Sequence, residues 1–135
     1  MALTVVDSGV LIALLDENDP HHKASRTRLT DLQDSNVALA ISTISLTEIL
    51  VYPMRRGAEA VRKVFTALDR LSITFLDITP RIAESAARLR AKNSQLRTPD
   101  ALVIATAQSF EATALLTTDI KLTRLTSKGL KIRSV

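Results

Sequence analysis

Four acidic side chains stand in four separate stretches of the chain, each beside a run of aliphatic residues. They are Asp7 in LTVVDSGVLIALL, Glu48 in ISTISLTEIL, Asp100 in RTPDALVIATA and Asp119 in ALLTTDIKL. A carboxylate next to Val, Ile and Leu is costly unless its charge is compensated. Carboxylates brought close together also raise one another's pKa. A shared divalent cation relieves both problems and suits a reaction on an anionic substrate. The chain has no cysteine, and hard oxygen donors favour Mg2+ or Mn2+ over Zn2+.

Each acid taken singly also has a plainer explanation. Asp7 can cap a helix starting near Gly9. The run Ser45-Leu46-Thr47-Glu48 matches a capping box, with Glu48 reaching back to the cap. Asp100 follows Thr98 by two residues, where its charge complements the helix dipole. Asp119 fits a turn or cap. Asp77 in FLDIT also follows an apolar strand, and the residue pattern alone leaves it beside the four. Asp16, Glu17 and Asp19 read as a solvated loop at a helix end. His21 and His22 are neighbours on a helix and point apart, so they form no chelating pair. Three glycines leave no room for a phosphate loop or a dinucleotide fingerprint. Ser8-Gly9 lacks the flanking glycines of a nucleophile elbow.

The elements that must position these acids alternate along the chain. LTVVD predicts a buried strand and SGVLIALLD a helix. Asp19-Pro20 starts a second helix running to about Asp34, with Asp as cap and Pro first. VALAIS is a second strand. A helix from about Ser45 follows, which Pro53 should kink or end. Gly57 opens the helical stretch AEAVRKVFTALDRL. ITFLDI is a third strand. Thr79-Pro80 and Thr98-Pro99 each start a further helix. ALLTT is a fourth strand, and after a turn or short helix LKIRSV forms a last one. This alternation predicts one α/β domain over residues 1–135, with a mostly parallel sheet of four to five strands flanked by helices. Ligands of such sheets bind outside the carboxyl ends of the strands, and all four acids can lie on that edge.

Composition narrows the function classes. Hydrophobic residues are 46% of the chain, enough for a real core, and aromatics only 3%, so the core is aliphatic. Few rings also weaken any reading based on base stacking, because such RNA-binding platforms need exposed rings. No stretch approaches a membrane span, and no targeting segment is expected. The net charge of +4 is uneven, with the basic excess in the second half, which suits a phosphate-backbone partner as well as plain solubility.

With these motifs in order, the chain resembles the PIN-domain nucleases, and among them the VapC-type toxins of bacterial toxin–antitoxin modules. VVDSGVLIALL, DPHHKA, STISLTEIL, TPDALVIATA and LLTTD carry the resemblance over essentially the whole chain. It implies that Asp7, Glu48, Asp100 and Asp119 are the catalytic, metal-holding acids, with Asp119 at the family's most variable position. Thr117 matches a supporting hydroxyl and Ser8 a small polar neighbour of the first acid. Asp77 matches no catalytic position.

The implied activity is an endoribonuclease dependent on Mg2+ or Mn2+, in which an activated water attacks the scissile phosphorus. Two ions in such sites lie roughly 3.5–4 Å apart. The implied partners are RNA, a small antitoxin and a second copy of the chain, in the cytoplasm. Arg97, Arg55 and Arg56 are candidate phosphate contacts, with solvated surface arginines as the plain alternative. A non-catalytic PIN-like RNA- or protein-binding domain is the alternative function. A receiver-type signalling domain or a haloacid-dehalogenase-type phosphatase would need a second acid next to or near Asp7, where this chain has Ser8-Gly9.

Overall fold

A computed structural model describes residues 1–125, 127 and 129–135. Five strands, β1 (Leu3–Val6), β2 (Ala38–Ser42), β3 (Thr74–Leu76), β4 (Ala114–Thr117) and β5 (Lys131–Ser134), form one sheet in the order β3-β2-β1-β4-β5. Every pairing between them is parallel. Six helices connect and cover the strands: α1 (Ser8–Leu15), α2 (His22–Asp34), α3 (Thr43–Arg56), α4 (Ala58–Arg70), α5 (Pro80–Lys92) and α6 (Thr98–Ser109). A short 3-10 helix, Ile120–Arg124, follows β4.

The three inner strands β1, β2 and β4 are buried on both faces, which explains their near-continuous apolar runs. Successive residues serve opposite layers. Val5, Ala40 and Leu115 pack with α5 and α6, while Val6, Ile41 and Leu116 pack with α1 to α4. Helix α6 lies deepest: Ala101, Val103, Ile104, Ala105, Thr106 and Ala107 are all buried. Small side chains let its backbone lie close to the sheet.

Strand β1 is central. The chain adds β2 and β3 on one side of it, then β4 and β5 on the other. The carboxyl ends of β1 and β4 therefore flank the switch point where α/β sheets open a crevice.

The start of α2 and the end of α3 differ from the sequence expectation. Helix α2 begins at His22, because Asp19 Oδ1 accepts from His21 N–H at 2.8 Å and closes a turn before the helix. His22 Nδ1 lies 2.8 Å from the Ala13 carbonyl oxygen and ties α2 to α1, which is a packing role. Helix α3 runs through Pro53 to Arg56. Pro53 lies in its last turn, where only the Ile49 carbonyl loses its helical donor, and Gly57 ends the helix at φ +112°. Among the described residues no helix is long and apolar enough to cross a membrane.

Candidate active site

Asp7 is the first residue after β1 and the N-cap of α1. Its Oδ1 accepts from Ser8 N–H at 2.8 Å, and its Oδ2 accepts from the Thr117 hydroxyl at 3.0 Å. Ser8 thus supports the acid through its backbone. Thr117 is fully buried at the end of β4, and its oxygen also accepts from Asp119 N–H at 3.0 Å. One hydroxyl therefore joins the first and fourth acids across the switch point. Asp119 caps the 3-10 helix, its Oδ1 accepting from Lys121 N–H at 2.9 Å. Gly9 sits against this loop. A methyl group there would overlap the Thr118 hydroxyl, so a glycine lets α1 approach the β4 end closely.

Helix α3 begins earlier than the sequence suggests, and this changes the reading of Glu48. Its N-cap is Ser42, whose hydroxyl accepts from Ile44 N–H. Glu48 lies in the second turn and cannot close a capping box. Ser45 Oγ, the supposed cap, is buried without a hydrogen-bond partner among the described residues. The capping explanation for Glu48 is thereby removed. Asp100 is the third residue of α6, where its charge faces the positive end of the helix dipole. Its side chain is 14% exposed and its Oδ2 accepts from Arg97 Nε at 3.3 Å.

Electrostatics tie three of these acids together. Burial pushes the Asp7 carboxyl above its ordinary pKa of 3.8. Hydrogen bonds from Thr117 and Ser8 pull it down, while the charges of Asp100 and Glu48 push it up again. Asp7 thus lies in the field of both Asp100 and Glu48. Asp100 and Asp119 line one open cleft of about 770 Å³, with Lys92, Arg97, Lys121 and Leu122. Among the described residues no three Asp, Glu or His side chains are already closed around one point tightly enough to hold an ion.

The donor set nevertheless suits a hard divalent cation: carboxylate oxygens, mutually repelling, with one buried at a raised pKa. Asp77 is exposed beyond β3, at the sheet edge away from the switch point. Asp77→Asn is expected to leave both Mn2+ affinity and melting temperature unchanged, which calorimetry and a thermal melt would check.

The Thr117 hydroxyl invites a direct test. Thr117→Val keeps the shape but strips Asp7 Oδ2 of its donor and Asp119 N–H of its acceptor. Residues that orient metal ligands typically matter by about 10–100-fold. A loss of that size is expected in metal affinity, read by calorimetry with Mn2+. Unchanged affinity would show that the hydroxyl positions nothing.

An all-parallel sheet with acids gathered at its carboxyl edge has the layout of α/β domains that hold a cation at the strand ends. The PIN domain family matches residues 4–128, and the chain belongs to that family. Comparison with curated protein sequences gives no match. Several solved structures are similar. A VapBC2 complex from Rickettsia felis, bound to a DNA fragment from its promoter, aligns at TM-score 0.76 and 20% identity over 98% of both chains. A toxin–antitoxin complex from Klebsiella pneumoniae aligns at TM-score 0.71 and 26% identity, over 96% of this chain and 95% of that one. The sarcin-ricin-loop-cleaving toxin VapC20 of Mycobacterium tuberculosis aligns at TM-score 0.65 and 21% identity, over 83% and 86%.

Proposed function

We propose that the protein is a VapC-type toxin: a metal-dependent endoribonuclease restrained by a small antitoxin protein. The observation that carries this reading is the Asp7 carboxylate, buried, pinned by Thr117 and Ser8, and raised in pKa partly by Glu48 and Asp100. A fold has little reason to keep a buried carboxylate in the field of two others unless a cation neutralises them. The similarity to toxin–antitoxin complexes supports the antitoxin partner, and that to a toxin cleaving the sarcin-ricin loop supports RNA as the substrate. On this reading residues 1–135 act as one PIN domain, as a homodimer in the cytoplasm.

Asp7, Glu48 and Asp100 would hold the principal Mg2+ or Mn2+, with Asp119 completing the site. The bound ion would supply Lewis acidity, offsetting charge on the scissile phosphate and making water more acidic. The chain's own groups do the positioning. Thr117 and the Ser8 N–H fix Asp7. Asp119 Oδ1 is taken by the Lys121 N–H, which leaves its other oxygen to orient a water. Lys92, Arg97 and Lys121 line the cleft beside Asp100 and Asp119 and meet the backbone phosphates. Water adds to phosphorus in line and the bridging P–O bond breaks, leaving a phosphate end and a hydroxyl end. No 2′-hydroxyl nucleophile is required.

The test is cleavage of a broad RNA panel by purified, antitoxin-free protein, with Mg2+ or Mn2+ and with chelator. Cleavage that depends on the metal is expected. No cleavage of any RNA with metal present would leave the non-catalytic binding domain as the better reading.

A further inference from the structure

The chain has a single tyrosine, and its position follows from the register of α3. Glu48 and Tyr52 are four residues apart, so they share one helix face about 6 Å apart along the axis. The Cα–Cβ bond of a helical residue inclines toward the N-terminus. The root of the Tyr52 side chain therefore leans toward the turn that carries Glu48. Continuing down the same face, Arg55 and Arg56 occupy the last turn. The Arg56 guanidinium carbon lies 5.8 Å from the centre of the Tyr52 ring, a cation–π arrangement. Tyr52 is 65% exposed, and both arginines are exposed. Neither arginine pairs with a carboxylate among the described residues.

An aromatic ring backed by a cation, with a second cation beside it, fits an unpaired nucleotide. The base stacks on the ring and the phosphate meets the guanidinium. We infer that Tyr52 and Arg56 form a base-stacking platform that holds an unpaired nucleotide next to the scissile phosphate, on the Glu48 side of the carboxylates. The inference rests on the nuclease reading and adds a residue that determines which RNA is held. The Lys92, Arg97 and Lys121 cleft lies on the Asp100 and Asp119 side. A strand held at both places crosses the carboxylates between them. A base stacked within a duplex cannot use the platform, so substrates with an unpaired base at the cleavage point are favoured.

Val51 and Met54 of the same helix are also exposed and would suit a protein partner. The one-turn spacing from Glu48 and the guanidinium beside the ring favour the nucleotide.

The test combines binding and kinetics in Tyr52→Phe, Tyr52→Leu and Arg56→Gln. Binding of a short labelled unstructured RNA is measured in an Asp100→Asn background with Mg2+, so that nothing is cut. The same RNA annealed to its complement is the control. Tyr52→Leu is expected to weaken single-strand binding by roughly five- to a hundredfold, the usual range for loss of one stacked base. Tyr52→Phe keeps the ring and should bind as the parent does. Arg56→Gln should weaken binding and flatten its salt dependence. Duplex binding should not respond to Tyr52→Leu. In the otherwise native protein, Tyr52→Leu should raise KM with little change in kcat.

Several results would overturn the platform. One is Tyr52→Leu binding single strands as tightly as Tyr52→Phe. Another is unchanged RNA affinity together with loss of a dimer or of a co-purifying protein, which would make this face a protein interface. Metal-dependent cleavage by the parent, scored in the same experiment, separates failure of the platform from failure of the nuclease reading.

Discussion

Asp100→Asn is expected to reduce metal-dependent RNA cleavage by more than about a thousandfold, the scale on which single transition-state-stabilising groups and metal ligands act. Asparagine preserves the shape at the third position of α6, and Pro99 and the apolar residues after it still set the helix. What disappears is one negative charge facing Asp7 and one strong oxygen donor. The Arg97 contact loses its charge partner, but Arg97 is 76% exposed, so little stability goes with it. The variant should therefore fold as the parent does, with the same circular dichroism, and fail in chemistry. The matched readout is metal binding: Mn2+ affinity should fall together with cleavage. Cleavage by Asp100→Asn at the parental rate would remove Asp100 from the site. Lost cleavage with undiminished metal affinity would make it a substrate-orienting group instead.

The fold was largely readable because its signals are local. Thr79-Pro80 starts α5 as expected, with the Thr79 hydroxyl accepting from Ile82 N–H. The apolar runs bounded by polar residues are the inner strands β1, β2 and β4. Misreadings came where two local signals competed. Ser45-Leu46-Thr47-Glu48 has the letters of a capping box, but Ser42 caps first because β2 ends there and its residues are held by the sheet. Asp19-Pro20 has the letters of a helix start, but a turn closed by Asp19 comes first.

The candidate site was readable as a set of residue types on one sheet edge, and not as contacts. The Thr117 hydroxyl that bridges Asp7 and Asp119 donates to Asp7 across 110 positions of sequence, and no local pattern carries such a bond. The spacing of four between Glu48 and Tyr52 was already in the sequence, whereas the contact between Tyr52 and Arg56 needs α3 to run unbroken past Pro53.

Asp7→Asn is expected to abolish cleavage as well, and to make the metal-free protein more stable. The Asp7 carboxyl is raised above 3.8, with burial as the largest cause. A raised carboxyl pKa means the folded state binds that proton more tightly than the unfolded chain does. The resulting stability is complete below about pH 3.8 and is lost as pH rises through the folded-state pKa. At neutral pH the ionised group is therefore a net cost to the fold. Asparagine is as good an N-cap and can still accept from Ser8 N–H through its amide oxygen, while the buried charge is gone. For a chain of this size each kcal/mol recovered raises the melting temperature by about 3–6 °C.

The gain should shrink as the pH is lowered toward 4, because the parental carboxyl then becomes neutral too. Divalent cation should reverse the ranking. A ligand at a hundred times its Kd adds about 2.7 kcal/mol to the protein that binds it, so Mg2+ or Mn2+ should stabilise the parent and leave Asp7→Asn almost unmoved. Thermal melts of both proteins, with chelator and with metal, decide the matter. If Asp7→Asn melts lower than the parent in chelator, Asp7 contributes more as an ionised cap than its burial costs. If both proteins respond equally to metal, the cation binds elsewhere. Both expected results together would mean that Asp7 is kept at the expense of the fold's stability, for the cation it helps to hold.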